Sequence, residues 1–256
     1  MRILVCAATG KELAALAPDT LEGLAGQLEQ ADYGCSALFA PAPHVFSGRK
    51  RETYVSLTGV GPLNAALASG LVLASMRQQG LAPDMVVNVG LAGAYDLNEI
   101  PLRSLCCVRE EIWPEYGLHD GRSVTAQAFS WPQWQRPQEQ GGAVYDRLQL
   151  ADIGFMEKKA ADRQVLVDCT SLTVAGVSAS FDRARDMRVR YRAQLENMEG
   201  FAVAYACARC GIPCVEIRSV SNKVGPRAKH EKDFPGALAA MATIGEMLPR
   251  LELAKS

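Results

Sequence analysis

The feature that most constrains this chain is a repeated unit: a short apolar run that stops in a glycine-bearing turn. Residues 2–8 (RILVCAA) run into Thr9-Gly10. Residues 53–57 run into Gly59-Val60-Gly61, and residues 84–95 (DMVVNVGLAGAY) pass through Gly90-Leu91-Ala92-Gly93. A fourth such turn, Gly176-Val177-Ser178-Ala179, also follows a strand. Apolar runs of this length without polar alternation are strands buried on both faces. Residues 12–28 carry helical apolar spacing interrupted at Pro18; residues 62–80 form a small-residue helix with Pro62 near its first turn and Gly80 as its stop. Residues 104–112 (SLCCVREEI) and 213–222 (PCVEIRSVSN) read as further strands, and residues 35–41 (CSALFAP) are strand-like. Residues 185–211 hold helical patterning around Asn197–Gly200, and residues 234–255 a closing helix. Apolar strands alternating with helices require a sheet covered on both faces, hence an α/β fold.

At 256 residues and 48% hydrophobic content, the chain is long enough for one large core, and no linker or repeat divides it. The expectation is a single domain over residues 1–256. It carries a loop or lid insertion at about 113–160, where Pro, Gly, Gln and Trp accumulate. The 27 basic and 28 acidic residues give a net charge of −1, with no basic excess for nucleic acid or an anionic membrane surface. No apolar run approaches the roughly 18 residues of a membrane span, and the N-terminal run is too short for a secretion signal. Eight cysteines lie mostly inside apolar runs. Cys207-Ala-Arg-Cys210 has no second pair at metal-site spacing, so these are core thiols of a reduced, cytoplasmic protein.

Ligands of α/β sheets gather at the carboxyl ends of strands. Gly59-Val60-Gly61 lacks the third glycine of a dinucleotide fingerprint. Three polar residues stand near such ends. Glu12 opens a helix two residues past Gly10, a position the helix dipole also favours. Glu199 precedes the apolar run GFAVAYACA. Asn222 ends a strand after Ser221, where it also suits a local turn.

Together, ATGKE, NVGLAGAY, NMEG and RSVSN resemble motifs of the nucleoside phosphorylase and nucleosidase superfamily, from Met1 to the closing helix and most weakly at residues 121–165. The resemblance implies a phosphorylase/hydrolase-like three-layer α/β/α sandwich with a mixed central sheet. Within the superfamily, ENMEG, SVSNKVGPR followed by FPGAL, and EYGLHDG resemble the futalosine hydrolase family more than the adenine nucleosidases. Those enzymes remove hypoxanthine from futalosine in the alternative route to menaquinone. Asn222 stands where adenine nucleosidases carry Asp, and Leu91 where they carry a small Ser.

The resemblance implies Glu12 as general base toward water and Glu199 as acceptor from the ribose 2′- and 3′-hydroxyls. Met198 would pack on the ribose, with Asn197 of the same motif in the substrate-binding set. Leu91, Ala92 and Gly93 would set backbone against the nucleoside, Phe181 would stack on the base, and Ser221 would support Asn222. The transition state is oxocarbenium-like, so the departing purine needs stabilisation at its N7 side. A 6-oxopurine presents O6 and N7, both acceptors. An ionised Asp repels O6, whereas the Asn222 amide can donate two hydrogen bonds and accept one from N1–H.

The distal carboxylate of futalosine calls for a cation, for which Arg227, Lys229 and Arg49 are candidates. Its aromatic ring calls for an apolar slot, to which residues 113–116 would contribute. No metal or redox cofactor is needed, and homologues in the family are commonly homodimers. Rival expectations are a purine nucleoside phosphorylase, an aminofutalosine or methylthioadenosine nucleosidase, and a noncatalytic nucleoside-binding protein. Phosphate requires a cluster of Arg and backbone donors, and the first loop offers Lys11 and no Arg.

Overall fold

The computed structural model describes residues 1–30, 39–42, 51–121, 123–137, 142–155, 166–226 and 228–254. Strand β1 (Arg2–Ala7) sits within the main sheet, β2 (Ala40–Pro41) lies at its edge, and β3 (Glu52–Leu57) and β4 (Met85–Ala94) flank β1 in parallel. Side chains of β1 alternate between two cores, as the two-residue strand period demands. Ile3, Val5 and Ala7 face one side, and Leu4 and Cys6 the other. The first core is covered by helices α1 (Gly10–Ala15) and α2 (Pro18–Gln30). Pro18 does break the long helical pattern, and it opens α2. The second core is covered by α3 (Pro62–Gln78), whose Pro62 occupies the first turn and whose run ends before Gly80 at φ 70°.

Strand β5 (Leu105–Ile112) begins the second half. The segment expected as a loop or lid folds, where described, into short ribbons. These are β6 (Leu118–His119) with β7 (Val124–Thr125), and β8 (Trp134–Gln135) with β9 (Ala143–Val144). Strand β10 (Arg147–Gln149) then pairs with the end of β5, and β11 (Ile153–Phe155) follows. Next come β12 (Leu166–Thr173), α4 (Phe181–Tyr191), β13 (Leu195–Asn197) and α5 (Gly200–Cys210). The chain continues with β14 (Cys214–Lys223), α6 (Phe234–Met247) and β15 (Leu251–Leu253), which pairs with β11. Helix α6 joins α1 and α2 on the first face and α5 joins α3 on the second, which completes the three layers.

Strand β14 runs parallel to β4 and antiparallel to β5. Strand β12 pairs in parallel with β5 and β13, and β13 returns antiparallel to β4. Five strands (β4, β14, β5, β12 and β13) therefore close on one another. The sheet is mixed, and this ring carries the polar residues described below.

The helical patterning expected around Asn197–Gly200 is corrected in part. Helix α4 stops at Arg192, whose φ of 52° is left-handed, and Leu195–Asn197 joins the sheet before α5 starts at Gly200. Of the strand-like residues 35–41, only 39–41 are described. No helix among the described residues is long and apolar enough to cross a membrane. Cys207 is buried in the α3–α5 core, and the seven described cysteines are free thiols.

Candidate active site

A cavity of about 420 Å³ opens where the carboxyl ends of β1, β4, β13 and β14 meet the first turns of α1 and α6. Glu12, Leu91, Ala92, Gly93, Asn197, Met198, Glu199, Ser221 and Asn222 all line it. These residues are far apart in sequence and are gathered by strand ends, the arrangement expected of α/β ligand sites.

Glu12 is held from both sides. Thr9 caps α1 and accepts from the Glu12 N–H, while its own N–H and hydroxyl donate to Glu12 Oε2 at 3.0 and 2.9 Å. This reciprocal capping box fixes the side chain. The Leu91 N–H donates to Oε1 at 2.9 Å. Gly90 is required here: a Cβ on it would stand 2.9 Å from Glu12 Oε1 and 2.5 Å from Arg218 Nη1.

Glu199 ends the β13–α5 connection. Its Oε1 accepts from the Gly61 N–H at 3.0 Å, and its Oε2 lies 3.7 Å from Arg218 Nη1. Burial pushes the Glu199 carboxyl above its ordinary range, and Glu12 adds to the rise. Arg218 and the Gly61 N–H pull the other way.

Beneath this wall lies a cluster of buried polar side chains. Arg218 Nε donates to Glu216 Oε1 at 2.7 Å, and both residues are essentially inaccessible. Burial alone would strip charge from the guanidinium, but Glu216, Glu199 and Glu111 reverse that and raise its pKa. Asn197 joins wall and cluster. Its Oδ1 accepts from the N–H groups of Glu199 and Gly200 at 2.9 and 2.7 Å. Its Nδ2 donates to Glu111 Oε1 at 2.6 Å and to Ser171 Oγ at 2.7 Å. Thr173 Oγ1 stands 2.7 Å from Glu111 Oε2 and accepts from the Phe201 N–H at 2.7 Å. Burial, followed by the neighbouring Glu216, pushes the Glu111 carboxyl well up. Asn197 thus borders the cavity while its amide is engaged in positioning Glu199.

Asn222 ends β14 at a register shift between Val220 and Asn222. Ser221 Oγ donates to Asn222 Oδ1 at 3.0 Å, and Asn222 Nδ2 donates to Lys223 O at 2.8 Å. One N–H and one carbonyl lone pair remain for a ligand, which corrects the two free donors expected from sequence. Glu196, a further carboxylate on the wall, accepts from Ser178 N–H, Ser178 Oγ and Tyr95 OH at 2.8, 2.7 and 3.0 Å.

Several candidates fall elsewhere. Phe181 is 66% exposed, sits beside Lys223 at 6.0 Å and is not on the cavity wall, because it begins α4 on the solvent side. The aromatic ring on the wall is Phe234, at the start of α6. Trp113 and Tyr116 stack on each other, and Trp113 also packs against Phe201; neither lines the cavity. Lys229 is exposed and off the wall. Arg227 and Arg49 lie outside the described residues.

The sequence reading does not single out Arg218, Glu216, Glu111, Glu196 or Phe234. A usable signal existed for two of them: Glu216-Ile-Arg218 places opposite charges two residues apart on one strand face.

The chain belongs to the phosphorylase superfamily, whose family description matches residues 2–251. It is 31% identical over 206 residues to the futalosine hydrolase of Streptomyces coelicolor, covering 76% of this chain and 77% of that protein. It is 32% identical over 196 residues to the futalosine hydrolase of Thermus thermophilus, covering 76% and 80%. Its fold matches the 5′-methylthioadenosine/S-adenosylhomocysteine nucleosidase of Colwellia psychrerythraea in complex with adenine. That match has a TM-score of 0.65 at 21% identity and covers 97% of this chain and 92% of the other.

Proposed function

We propose that this chain is an N-ribosyl hydrolase that cleaves futalosine to hypoxanthine and dehypoxanthine futalosine, in the alternative route to menaquinone. The observation that carries this assignment is one cavity that brings together the carboxylates of Glu12 and Glu199 and the neutral amide of Asn222. Kinship with two futalosine hydrolases supports it.

Glu12, oriented by Thr9 and Leu91, keeps lone pairs for a water molecule and takes its proton as that water attacks the anomeric carbon. Glu199 accepts from the ribose hydroxyls, and its charge favours the cationic ring. Met198 packs on the sugar. Asn222 places its remaining N–H at the O6/N7 edge of the departing hypoxanthine and, being neutral, does not repel O6. Ser221 orients that amide. No step calls on a metal or cofactor.

The test is incubation with futalosine, aminofutalosine, inosine and methylthioadenosine, with and without phosphate, while following free base and ribose 1-phosphate. Phosphate-independent release of hypoxanthine from futalosine is expected. A phosphate requirement would point to a phosphorylase, and faster cleavage of the amino compound to an adenine-type enzyme.

The enzyme works as a cytoplasmic homodimer. Leu63, Leu67 and Leu71 stand on one exposed face of α3, and Val60, at the foot of that helix, is both half-exposed and on the cavity wall. An apolar stripe continuous with the site suits a second copy of the chain. Sedimentation of the wild type and of Leu67→Glu checks this: a dimer is expected to turn into a monomer.

A further inference from the structure

The cavity wall has an unequal charge inventory. Three carboxylates border it, Glu12, Glu196 and Glu199, against one basic side chain among the described residues, Lys11. The other nearby cations are committed elsewhere. Arg218 is buried against Glu216, and Lys223 reaches Glu231 at 2.8 Å. Arg183 pairs with Glu115 at 3.0 Å, and Arg103 with Asp233. Lys11 is exposed and has no hydrogen-bond or ion-pair partner among the described residues.

Its position is also unusual for a structural lysine. It lies in the first turn of α1, where the helix field disfavours a cation. Helix α1 packs directly on α6: a Cβ on Gly245 of α6 would fall 1.9 Å from Leu16 O. That contact sets Lys11 on the same wall as Phe234 and Leu238, one turn apart on α6. An ammonium on a flexible stem beside an aromatic ring and a leucine is a fitting receiver for an anion carried on an apolar, planar group.

We propose that Lys11 is the specificity-determining residue that meets the distal carboxylate of the substrate, with Phe234 and Leu238 bordering the aromatic ring that bears it. The inference rests on the futalosine assignment above and adds to it the residue that makes the site accept an acid. Without Lys11, an anionic substrate faces a wall whose formal charge is entirely negative. With it, the carboxylate gains a charge-assisted hydrogen bond at the cavity mouth. A phosphate at the ribose 5′ position is also anionic, but its larger charge and several oxygens call for more donors than the side chains of this wall provide. The geometry therefore favours an aryl carboxylate.

The experiment compares kcat/KM for futalosine with that for its carboxamide, in the wild type, Lys11→Met and Lys11→Arg, with inosine and inosine 5′-monophosphate as further substrates. The wild type is expected to prefer the acid over the amide about tenfold or more, mostly in KM, as a hydrogen bond between charged groups contributes. Lys11→Met is expected to bring that ratio close to one, and Lys11→Arg to restore most of it. Thermal melts of all three proteins report folding.

A ratio unchanged in Lys11→Met, or an equal loss on acid and amide, overturns the role of Lys11 while leaving the futalosine assignment standing. Cleavage of inosine 5′-monophosphate that exceeds that of futalosine and depends on Lys11 overturns the carboxylate in favour of phosphate. A wild type that releases no hypoxanthine from futalosine but cleaves another nucleoside removes the functional assignment, and the Lys11 inference falls with it.

Discussion

Among the glutamates that gather in one corner of this molecule, two pairs are built differently. Glu12 and Glu199 hang from a short helix and from a strand–helix connection, and the backbone N–H groups of Thr9, Leu91 and Gly61 hold them. Glu111 and Glu216 stand on strands β5 and β14, with side-chain partners and no access to the cavity. The wall pair is oriented by protein donors yet borders the cavity, which suits groups that must meet a ligand. The lower pair is enclosed, and it fixes Arg218 and Asn197, which in turn fix Glu199. One residue type therefore serves two purposes, set by whether the carboxylate borders the cavity or is enclosed by protein.

Glu12→Gln tests the open pair most directly. The amide keeps the shape but cannot take a proton. Base release should fall by about 10²–10⁴-fold, the usual contribution of a general base, while nucleoside binding persists. Single-turnover kinetics beside equilibrium binding would separate the two effects. If turnover survived, Glu12 would belong with the structural pair.

Glu216→Gln tests the enclosed pair. It leaves the Arg218 guanidinium buried without its charged partner, a change that costs about 3–5 kcal/mol. In a chain of this size that lowers Tm by roughly 6–20 °C. An unshifted melt would mean that Glu199 alone suffices to hold Arg218.

Asn222→Asp sharpens the contrast between open and enclosed groups. A carboxylate at the end of β14 meets O6 of a 6-oxopurine with like charge. The expected result is a drop of roughly tenfold to a hundredfold in kcat/KM for futalosine relative to aminofutalosine, in the range of a single discriminating polar contact. An unaltered ratio would remove Asn222 from the choice of base.

The open pair was legible in the sequence and the enclosed pair was not, for a physical reason. Glu12 and Glu199 sit at the junctions of apolar runs, where a charged residue stands out and a turn locates it at a strand end. The strands themselves were equally readable, since β1, β4 and β14 are runs of apolar residues bounded by turn residues. Glu111 and Glu216 lie inside such runs. Which of Glu110 and Glu111 points inward depends on the neighbouring strands: β5 carries one extra residue, Arg109, opposite Cys169 and Thr170 of β12, and no local pattern encodes it. Leu195–Asn197 reads as part of a helical pattern for the same reason, because a three-residue strand takes its identity from β4 and β12 and not from its own periodicity. Phe181 and Phe234 show the limit for ligand-facing groups. Both open helices, and only the packing of α6 on α1 brings Phe234 to the cavity.

The smallest expected effect is the most diagnostic of how the enclosed pair is built. Two buried carboxyls share one corner of Gly200, where a Cβ would lie 2.4 Å from Glu111 Oε1 and 2.6 Å from Glu216 Oε1. Close like charges of this kind resist joint ionisation, and burial together with Glu216 pushes the Glu111 carboxyl well up. Thr173, Arg218 and Asn197 pull the other way, but burial and Glu216 prevail and favour the protonated form of Glu111. Its Oε2 can donate to Thr173 Oγ1, whose own hydrogen then turns to Asn197 Oδ1 at 3.3 Å, while Oε1 accepts from Asn197 Nδ2. Glutamine reproduces this pattern, its amide donating to Thr173 and its carbonyl accepting from Asn197. Glu111→Gln should therefore fold and turn over futalosine at close to the wild-type rate, with stability changed by less than about 1 kcal/mol near neutrality. The pH dependence carries the test. An acid whose folded pKa is raised gives its full contribution below the ordinary carboxylate range and loses it as the pH climbs through the raised value. Melts from pH 5 to pH 8 should show the variant gaining on the wild type as the pH rises. A difference that stays flat, or one that runs the other way, would mean that the proton does not reside on Glu111.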